Sequence, residues 1–358
     1  MVVATLVKNV LFIWEILCHN SSNSEQNTYL PPTKFIKRKD LVIMKCLIID
    51  AVSSEIAEVL GKDMEVVTSA TLPPSKDELK AQIGDVDVLI MRVDPMIDKE
   101  VLDAAANLKV IGVCSVGLNH IDTKYAEEKG VKVFNAPGLN GNAVAELTIC
   151  KMLEISRNTI AAHNDVTVNK NWDKYKFVGR ELKGKTLGVL GFGRIGQRVG
   201  EIARVFGMKV VAYDPYLPAH VFEQQEATSM SIADLCAVSD FVTIHMPLNE
   251  ETKNLFNAES ISKMKSDAVV LNMARGGIVN EKDMYEALVA GKIGGYATDV
   301  MENEVAGDGL TADASFASPL FDLPNFIVTP HLGAQSVDAS IAIGKHIIAK
   351  VKEALEIA

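Results

Sequence analysis

Gly191-Phe192-Gly193-Arg194-Ile195-Gly196 decides the fold of this chain because of what stands on either side of it. A bare Gly-x-Gly-x-x-Gly occurs by chance and in unrelated phosphate-binding loops. Here the preceding run Thr186-Leu187-Gly188-Val189-Leu190 reads as a buried strand, and residues 194–206 carry helical periodicity through Ile195, Val199, Ile202, Ala203 and Phe206. The glycines therefore fall in a strand-to-helix turn. Gly191 permits the tight bend, Gly193 lets the backbone approach a pyrophosphate, and Gly196 lets helix and strand pack closely, with the helix N-terminus facing the phosphates. A second strand over residues 208–213 ends at Asp214, where a carboxylate accepts both ribose hydroxyls of a dinucleotide. Pro215 and Tyr216 follow, with no Arg to receive a 2′-phosphate, so the pattern predicts NAD and not NADP.

Outward from this turn, apolar runs alternate with helical stretches. Residues 45–50, 65–68, 86–92, 109–114 and 132–135 read as strands, with helical segments such as 54–60, 76–83 and 99–106 between them. A long helical segment over residues 143–160 follows Pro137-Gly138 as a connector, and a second series runs from Leu187 through strands at 241–246, 268–273, 295–300 and 326–329. This order predicts an α/β protein with two doubly wound parallel sheets covered by helices on both faces. Ligands in such sheets bind at the carboxyl ends of the strands. Residues 335–357 form a last helix, apolar at Ile341, Ile343, Ile347, Ile348, Val351 and Leu355, which is expected to pack back on the first domain.

At 358 residues, with 48% hydrophobic and 23% charged, the chain is long enough for two globular cores. A formal net charge of −10 and a pI near 5.3 argue against a nucleic-acid surface, and no basic stripe compensates. Cys18, Cys46, Cys114, Cys150 and Cys236 are scattered without metal-ligand spacing, which predicts no disulfide frame and no metal site. They read as buried thiols of a reducing, cytoplasmic compartment. Residues 1–43 differ from the rest. The apolar stretch 2–18 carries Lys8 and Glu15, too short and too charged to span a membrane, and lacks a signal-peptide pattern. A polar stretch at 20–27, Pro31-Pro32 and Lys37-Arg38-Lys39 complete an expected unstructured extension, with a targeting segment as the other reading and Met44 as a possible start.

Arg275, Glu304 and His331 each stand in a loop-like context after an apolar run, downstream of the fingerprint. A fixed cation, a carboxylate and an imidazole are the parts needed to hold a 2-hydroxy acid and move its hydroxyl proton while a nicotinamide takes its hydride. Arg275 keeps its charge and forks onto a carboxylate, and His331 titrates in the useful range. Glu304 orients the imidazole and raises its pKa. Taken singly, His331 is equally a turn histidine, Glu304 one of the solvated acids beside Glu302, and Arg275 a surface arginine. Their joint order behind a complete fingerprint favours the catalytic reading. His120 and His245 read as structural, and Cys114 has no base beside it.

From Met44 onward the sequence resembles the D-isomer-specific 2-hydroxyacid dehydrogenase family. The resemblance is carried by Gly117-Leu118-Asn119-His120-Ile121-Asp122, Asn135-Ala136-Pro137-Gly138, Val144-Ala145-Glu146 and the fingerprint. It continues in His245-Met246-Pro247-Leu248, Asn272-Met273-Ala274-Arg275-Gly276-Gly277, Asp299-Val300 and Pro330-His331-Leu332-Gly333-Ala334. Within the family, Trp172-Asp173-Lys174, Phe177-Val178-Gly179-Arg180-Glu181-Leu182 and residues 331–334 are most similar to the phosphoglycerate dehydrogenases, in a short form.

The resemblance implies a flavodoxin-like substrate domain, residues 44–140 plus 335–358, with a Rossmann NAD domain, residues 141–334, inserted into it. It implies a homodimer joined through the NAD domain, with the arm at 172–182 reaching across. Arg275, Glu304 and His331 become the catalytic residues. Cofactor contacts fall on Gly191, Gly193, Arg194, Ile195, Gly196, Asp214, Met246, Pro247, Met273, Ala274 and Asp299, the last accepting from the nicotinamide amide. The substrate carboxylate falls on the amides of Ser115, Val116 and Gly117, with Arg92 nearby.

The implied reaction is oxidation of 3-phosphoglycerate to 3-phosphohydroxypyruvate, the entry to serine biosynthesis. Phosphoglycerate dehydrogenases generally follow the arginine equivalent to Arg92 with a Ser and a further Thr or basic position, and some carry Arg where Val113 stands. This chain has Val93-Asp94, and an aspartate near a phosphate dianion costs affinity unless it points away. Arg92, Arg157 and Lys174 are the candidate phosphate contacts. The Ser115-Val116-Gly117 turn is also similar to that of glyoxylate and hydroxypyruvate reductases. A reductase of small 2-keto acids, and a dinucleotide-sensing binding protein like the corepressors related to this family, stay open beside the first reading.

Overall fold

The computed structural model describes residues 44–302, 304 and 317–357, so the extension expected over residues 1–43 lies outside the described residues. Five strands, β1 (Lys45–Ile48), β2 (Glu65–Thr68), β3 (Val88–Met91), β4 (Val110–Val113) and β5 (Lys132–Phe134), form a parallel sheet in the order β2-β1-β3-β4-β5. Alternate residues point to opposite faces of a strand, and both faces here are apolar. Leu47, Leu89 and Ile111 pack beneath Leu79, Ile83, Val101 and Leu102. On the other face Cys46, Ile48, Val88 and Ile90 meet Ile56, Leu60 and the last helix, Val337–Ala354, through Ile343, Ile347 and Val351. The apolar stripe of that helix therefore closes the first sheet, although Ile341 is 37% exposed.

The second sheet is built from β6 (Thr186–Leu190), β7 (Lys209–Tyr213), β8 (Thr228–Ser229), β9 (Phe241–Ile244), β10 (Val269–Asn272), β11 (Gly295–Thr298) and β12 (Phe326–Val328). Its order is β12-β11-β10-β9-β6-β7-β8, with parallel pairing throughout. Winding reverses between β6 and β9, and in the first sheet between β1 and β3. Such reversals open a crevice at the carboxyl ends of the strands. The two parallel-sheet α/β domains expected from the sequence, Rossmann-like and flavodoxin-like in strand order, are thus present.

Three local expectations need correction. Several strands end one or two residues before their apolar runs do; Ile49 is fully buried, yet β1 stops at Ile48. The connector read as one helix over 143–160 is two, Gly141–Arg157 and Thr159–Thr167, separated by Asn158 at φ 53°. A left-handed residue ends a helix, and Asn tolerates that conformation without the sequence signal that a Gly or Pro would give. Cys150 is exposed on the first of these helices, whereas Cys46, Cys114 and Cys236 are buried as expected and Cys18 lies outside the described residues.

Candidate active site

The glycine turn follows β6 directly. Gly191 has φ +87°, and a Cβ there would lie 2.8 Å from the His245 carbonyl, so the loop after β6 rests on the loop after β9. At Gly196 a Cβ would collide with the Gly191 carbonyl oxygen. Gly193 differs: a Cβ added there would meet nothing within 4 Å, so it would project into open space at the start of helix Arg194–Val205. No side chain caps that helix, which leaves its first N–H groups for an anion. The space before these N–H groups fits a pyrophosphate, and a methyl group on Gly193 would enter it.

Asp214, at the end of β7, accepts from Phe192 N–H at 2.9 Å and from Tyr216 N–H at 3.0 Å, one on each carboxylate oxygen. Each oxygen keeps a further lone pair for a ribose hydroxyl. Arg194 donates from its guanidinium to the Pro137 carbonyl at 3.3 Å. Ile195 packs beside Gly141. Met246, Met273 and Ala274 have buried side chains in the cores and offer backbone groups, while Pro247 is exposed.

Arg275 follows β10 on a turn shaped by a buried amide. Asn272 accepts from Ala274 N–H at 3.1 Å and donates to the Arg275 carbonyl at 2.9 Å. Arg275 is exposed and gives one N–H to the Ala274 carbonyl at 2.7 Å. His331 follows β12 at φ 53°, an uncommon conformation for a residue with a side chain. Asp299, buried beyond β11, holds it there: its carboxylate accepts from Thr329 Oγ1 at 2.6 Å, Leu332 N–H at 2.8 Å and Gly333 N–H at 2.7 Å, and its carbonyl accepts from His331 N–H at 2.9 Å. One carboxylate lone pair is left for an amide donor.

His331 Nδ1 lies 3.2 Å from Glu304 Oε2, with both side chains partly exposed. The hydrogen bond that Glu304 accepts raises the His331 pKa above its ordinary value, against desolvation and the Arg275 charge, which lower it; the charges of Glu304 and Asp299 also raise it. The structure thus brings together Arg275, Glu304, His331 and Asp299 from sequence positions far apart. Asn272 and Thr329, which hold the Arg275 and His331 turns, had no assigned role in the sequence; a polar residue closing an apolar strand was the only local signal.

At the carboxyl edge of the first sheet, Ser115 Oγ donates to the Arg92 carbonyl at 2.9 Å and Asn135 Nδ2 to the Val116 carbonyl at 2.7 Å. Among the described residues the Val116 and Gly117 N–H groups meet no acceptor, so this turn presents amides to an anion. Arg92 Nη1 reaches Gln335 Oε1 at 3.3 Å, four residues beyond His331, which ties this edge to the histidine loop. Asp50 accepts from the backbone N–H groups of Arg92 and Val93, and its carboxyl is raised, chiefly by burial. Asp94 and Asp50 both act on His120.

Arg157 is placed away from this edge. It ends a 17-residue helix that starts beside the glycine turn, and it packs at Gly179, far along that helix. Lys174 has its Nζ 5.0 Å from the Tyr175 ring in the exposed arm. His120 and His245 each keep one buried ring nitrogen without a partner, and burial lowers both, His245 to about 3. Burial pushes the Cys114 thiol up to about 12, which suits a core residue and not a nucleophile. Among the described residues no cluster of His, Cys, Asp and Glu has the geometry to hold a metal ion.

Residues 149–333 match the family model described as "D-isomer specific 2-hydroxyacid dehydrogenase, NAD binding domain". A D-3-phosphoglycerate dehydrogenase of Methanocaldococcus jannaschii is 40% identical over 316 residues, covering 87% of this chain and 58% of the relative. A hydroxypyruvate reductase of Thermotoga maritima is 38% identical over 309 residues, 86% of this chain and 97% of the relative. The crystal structure of a D-lactate dehydrogenase from Aquifex aeolicus, complexed with NAD and lactic acid, superposes with a TM-score of 0.72 at 27% identity, covering 87% of this chain and 95% of that one. This chain therefore spans little more than half of the first relative and nearly all of the second.

Proposed function

The chain belongs to the D-isomer specific 2-hydroxyacid dehydrogenase family, and on that premise we propose that it interconverts a D-2-hydroxy acid and its 2-keto acid with NAD. The observation that carries this reading is the 3.2 Å contact of His331 with Glu304, beside Arg275 and beyond the same sheet edge as the Gly193 cradle. Bound NAD supplies hydride acceptance and return at its nicotinamide. The remaining work falls to side chains and backbone amides of this chain.

Arg275 holds the substrate carboxylate and the C2 oxygen with the N–H groups not given to Ala274. Val116 and Gly117 N–H groups receive the carboxylate from the other sheet. His331 turns Nδ1 to Glu304, so Nε2 is the nitrogen that meets the hydroxyl. Neutral His331 takes the hydroxyl proton in oxidation; charged His331 returns it in reduction. Asp214 selects NAD by pairing with ribose hydroxyls and repelling a 2′-phosphate.

The first substrate reading is 3-phosphoglycerate going to 3-phosphohydroxypyruvate, the entry to serine biosynthesis, supported by relatives named D-3-phosphoglycerate dehydrogenase. A second reading, reduction of hydroxypyruvate or glyoxylate, is favoured by the acidic surroundings of Arg92, where Asp50 and Asp94 would oppose a phosphate dianion. A cytoplasmic homodimer accompanies both. Trp172 at 86% and Tyr175 at 76% exposure support an arm that a second copy covers. Among the described residues no helix is long and apolar enough to cross a membrane. Turnover on 2-hydroxy and 2-keto acids, each with and without a phosphate, tests the proposal: the higher kcat/KM for 3-phosphoglycerate supports the first reading, and for hydroxypyruvate the second. Tight NAD binding with no turnover on any acid would leave a dinucleotide-sensing protein.

A further inference from the structure

Two carboxylates outside the proposed catalytic set face each other across the back of the Arg275 turn. Glu302 N–H donates to Glu281 Oε1 at 2.7 Å, and Glu281 N–H donates to Glu302 Oε1 at 3.1 Å. The exchange is reciprocal, between the first residue of helix Glu281–Val289 and the segment that leaves β11. Charge-assisted hydrogen bonds of this kind are among the stronger ones. It also holds two like charges close: burial raises the Glu281 carboxyl, and the Glu302 charge raises it further, against the Glu302 N–H, which lowers it.

The segment fixed in this way carries Glu304. Glu304 N–H donates to the Met301 carbonyl at 3.3 Å, so its backbone is anchored on the residue that precedes Glu302. The same Met301 carbonyl lies so close to Gly276 that a Cβ there would collide with it, and the Glu302 nitrogen would be 2.8 Å from that Cβ. Arg275 stands one residue before Gly276. The carboxylate pair therefore sits where the arginine turn and the Glu304 segment touch.

We propose that Glu281 and Glu302 are positioning residues: their reciprocal hydrogen bonds lock the Glu304 segment against the Arg275 turn, so that Glu304 meets His331. Removing either side chain strips an acceptor from the other residue's backbone N–H and frees the segment. Glu304 then loses its register on the imidazole while the glycine turn and Asp214 keep theirs. The inference rests on the His331–Glu304 relay proposed above, and the test separates the two.

The experiment uses the full chain without cofactor and follows the His331 ring proton by NMR titration, assigned by its loss in His331→Ala; kcat and KM are measured in parallel. In the unmutated protein His331 should titrate above its ordinary value, and titration at or below that value would overturn the relay and the lock together. Given the raised value, Glu281→Ala and Glu302→Ala should each return the His331 titration toward the ordinary one. Each should cost roughly ten- to a hundredfold in kcat, as small misplacements of catalytic groups do, with KM for NAD unchanged. Glu302→Gln, whose amide oxygen still accepts from Glu281 N–H, should recover most of the loss. The double alanine variant should be no worse than the poorer single one, as for residues acting as a unit. A native His331 titration in both alanine variants, whatever their melting temperatures, would overturn the lock and leave the relay standing.

Discussion

Phe192 N–H donates to Asp214 Oδ2 across 2.9 Å, so the carboxylate that ends β7 is built into the glycine turn that ends β6. The group proposed to select the ribose also holds the loop proposed to receive the phosphates. Asp214→Ala should therefore lower kcat/KM with NAD while raising the NADP-to-NAD ratio toward parity. Steady-state kinetics with both cofactors measure this, and equal efficiency with NADP in the unmutated protein would contradict the role.

Two glycines of that turn should respond differently to the same methyl group. Gly193→Ala meets open space at φ −72°, so the fold should survive while NAD affinity falls by roughly tenfold or more, about 1.4 kcal/mol. Gly191→Ala forces a side chain to φ +87° against the His245 backbone and should cost about 1–3 kcal/mol of stability. Denaturant unfolding beside a fluorescence titration with NAD separates the two; equal stability loss at both positions would refute the distinction.

Asn272 is 1% exposed and holds both ends of the Arg275 turn. Asn272→Ala leaves a buried N–H and a carbonyl without their partner, a cost of about 1–3 kcal/mol. Turnover should fall as well, because Arg275 loses its seat. Native stability and turnover would show that the amide is dispensable.

Arg275→Lys should raise KM for the acid and lower kcat together, since an ammonium cannot reproduce the planar fork. An unchanged kcat with a raised KM would restrict Arg275 to ground-state binding.

Much of this architecture was legible in the sequence because the relevant signals are local. The runs at β3 and β10 are buried from end to end, and the fingerprint packs its strand, turn and helix signals into adjacent residues. The break at Asn158 was hidden, because Arg157-Asn158-Thr159 carries no strong breaker. Arg275, Glu304 and His331 could be singled out by chemistry, but not what holds them. Asp299 reaches Leu332 and Gly333 across more than thirty positions, and Glu281 meets Glu302 across twenty-one. Such pairings depend on which strands become neighbours, and the place of Arg157 depends on packing in the same way, since only the packed helix shows which of its ends lies beside the glycine turn.

The most direct test of the account is the pH dependence of turnover in both directions for the unmutated protein and for Glu304→Gln, on the best substrate. Glu304 raises the His331 pKa, so the charged imidazole persists to higher pH than an ordinary histidine. Reduction needs the charged form and falls as pH rises through that pKa; oxidation needs the neutral form and rises through it. Removing the carboxylate charge should shift both profiles to lower pH with KM for NAD little changed, while His331→Ala should lose roughly a hundred- to ten-thousandfold in turnover. Superimposable profiles for the unmutated and Glu304→Gln proteins, or full activity in His331→Ala, would contradict the relay.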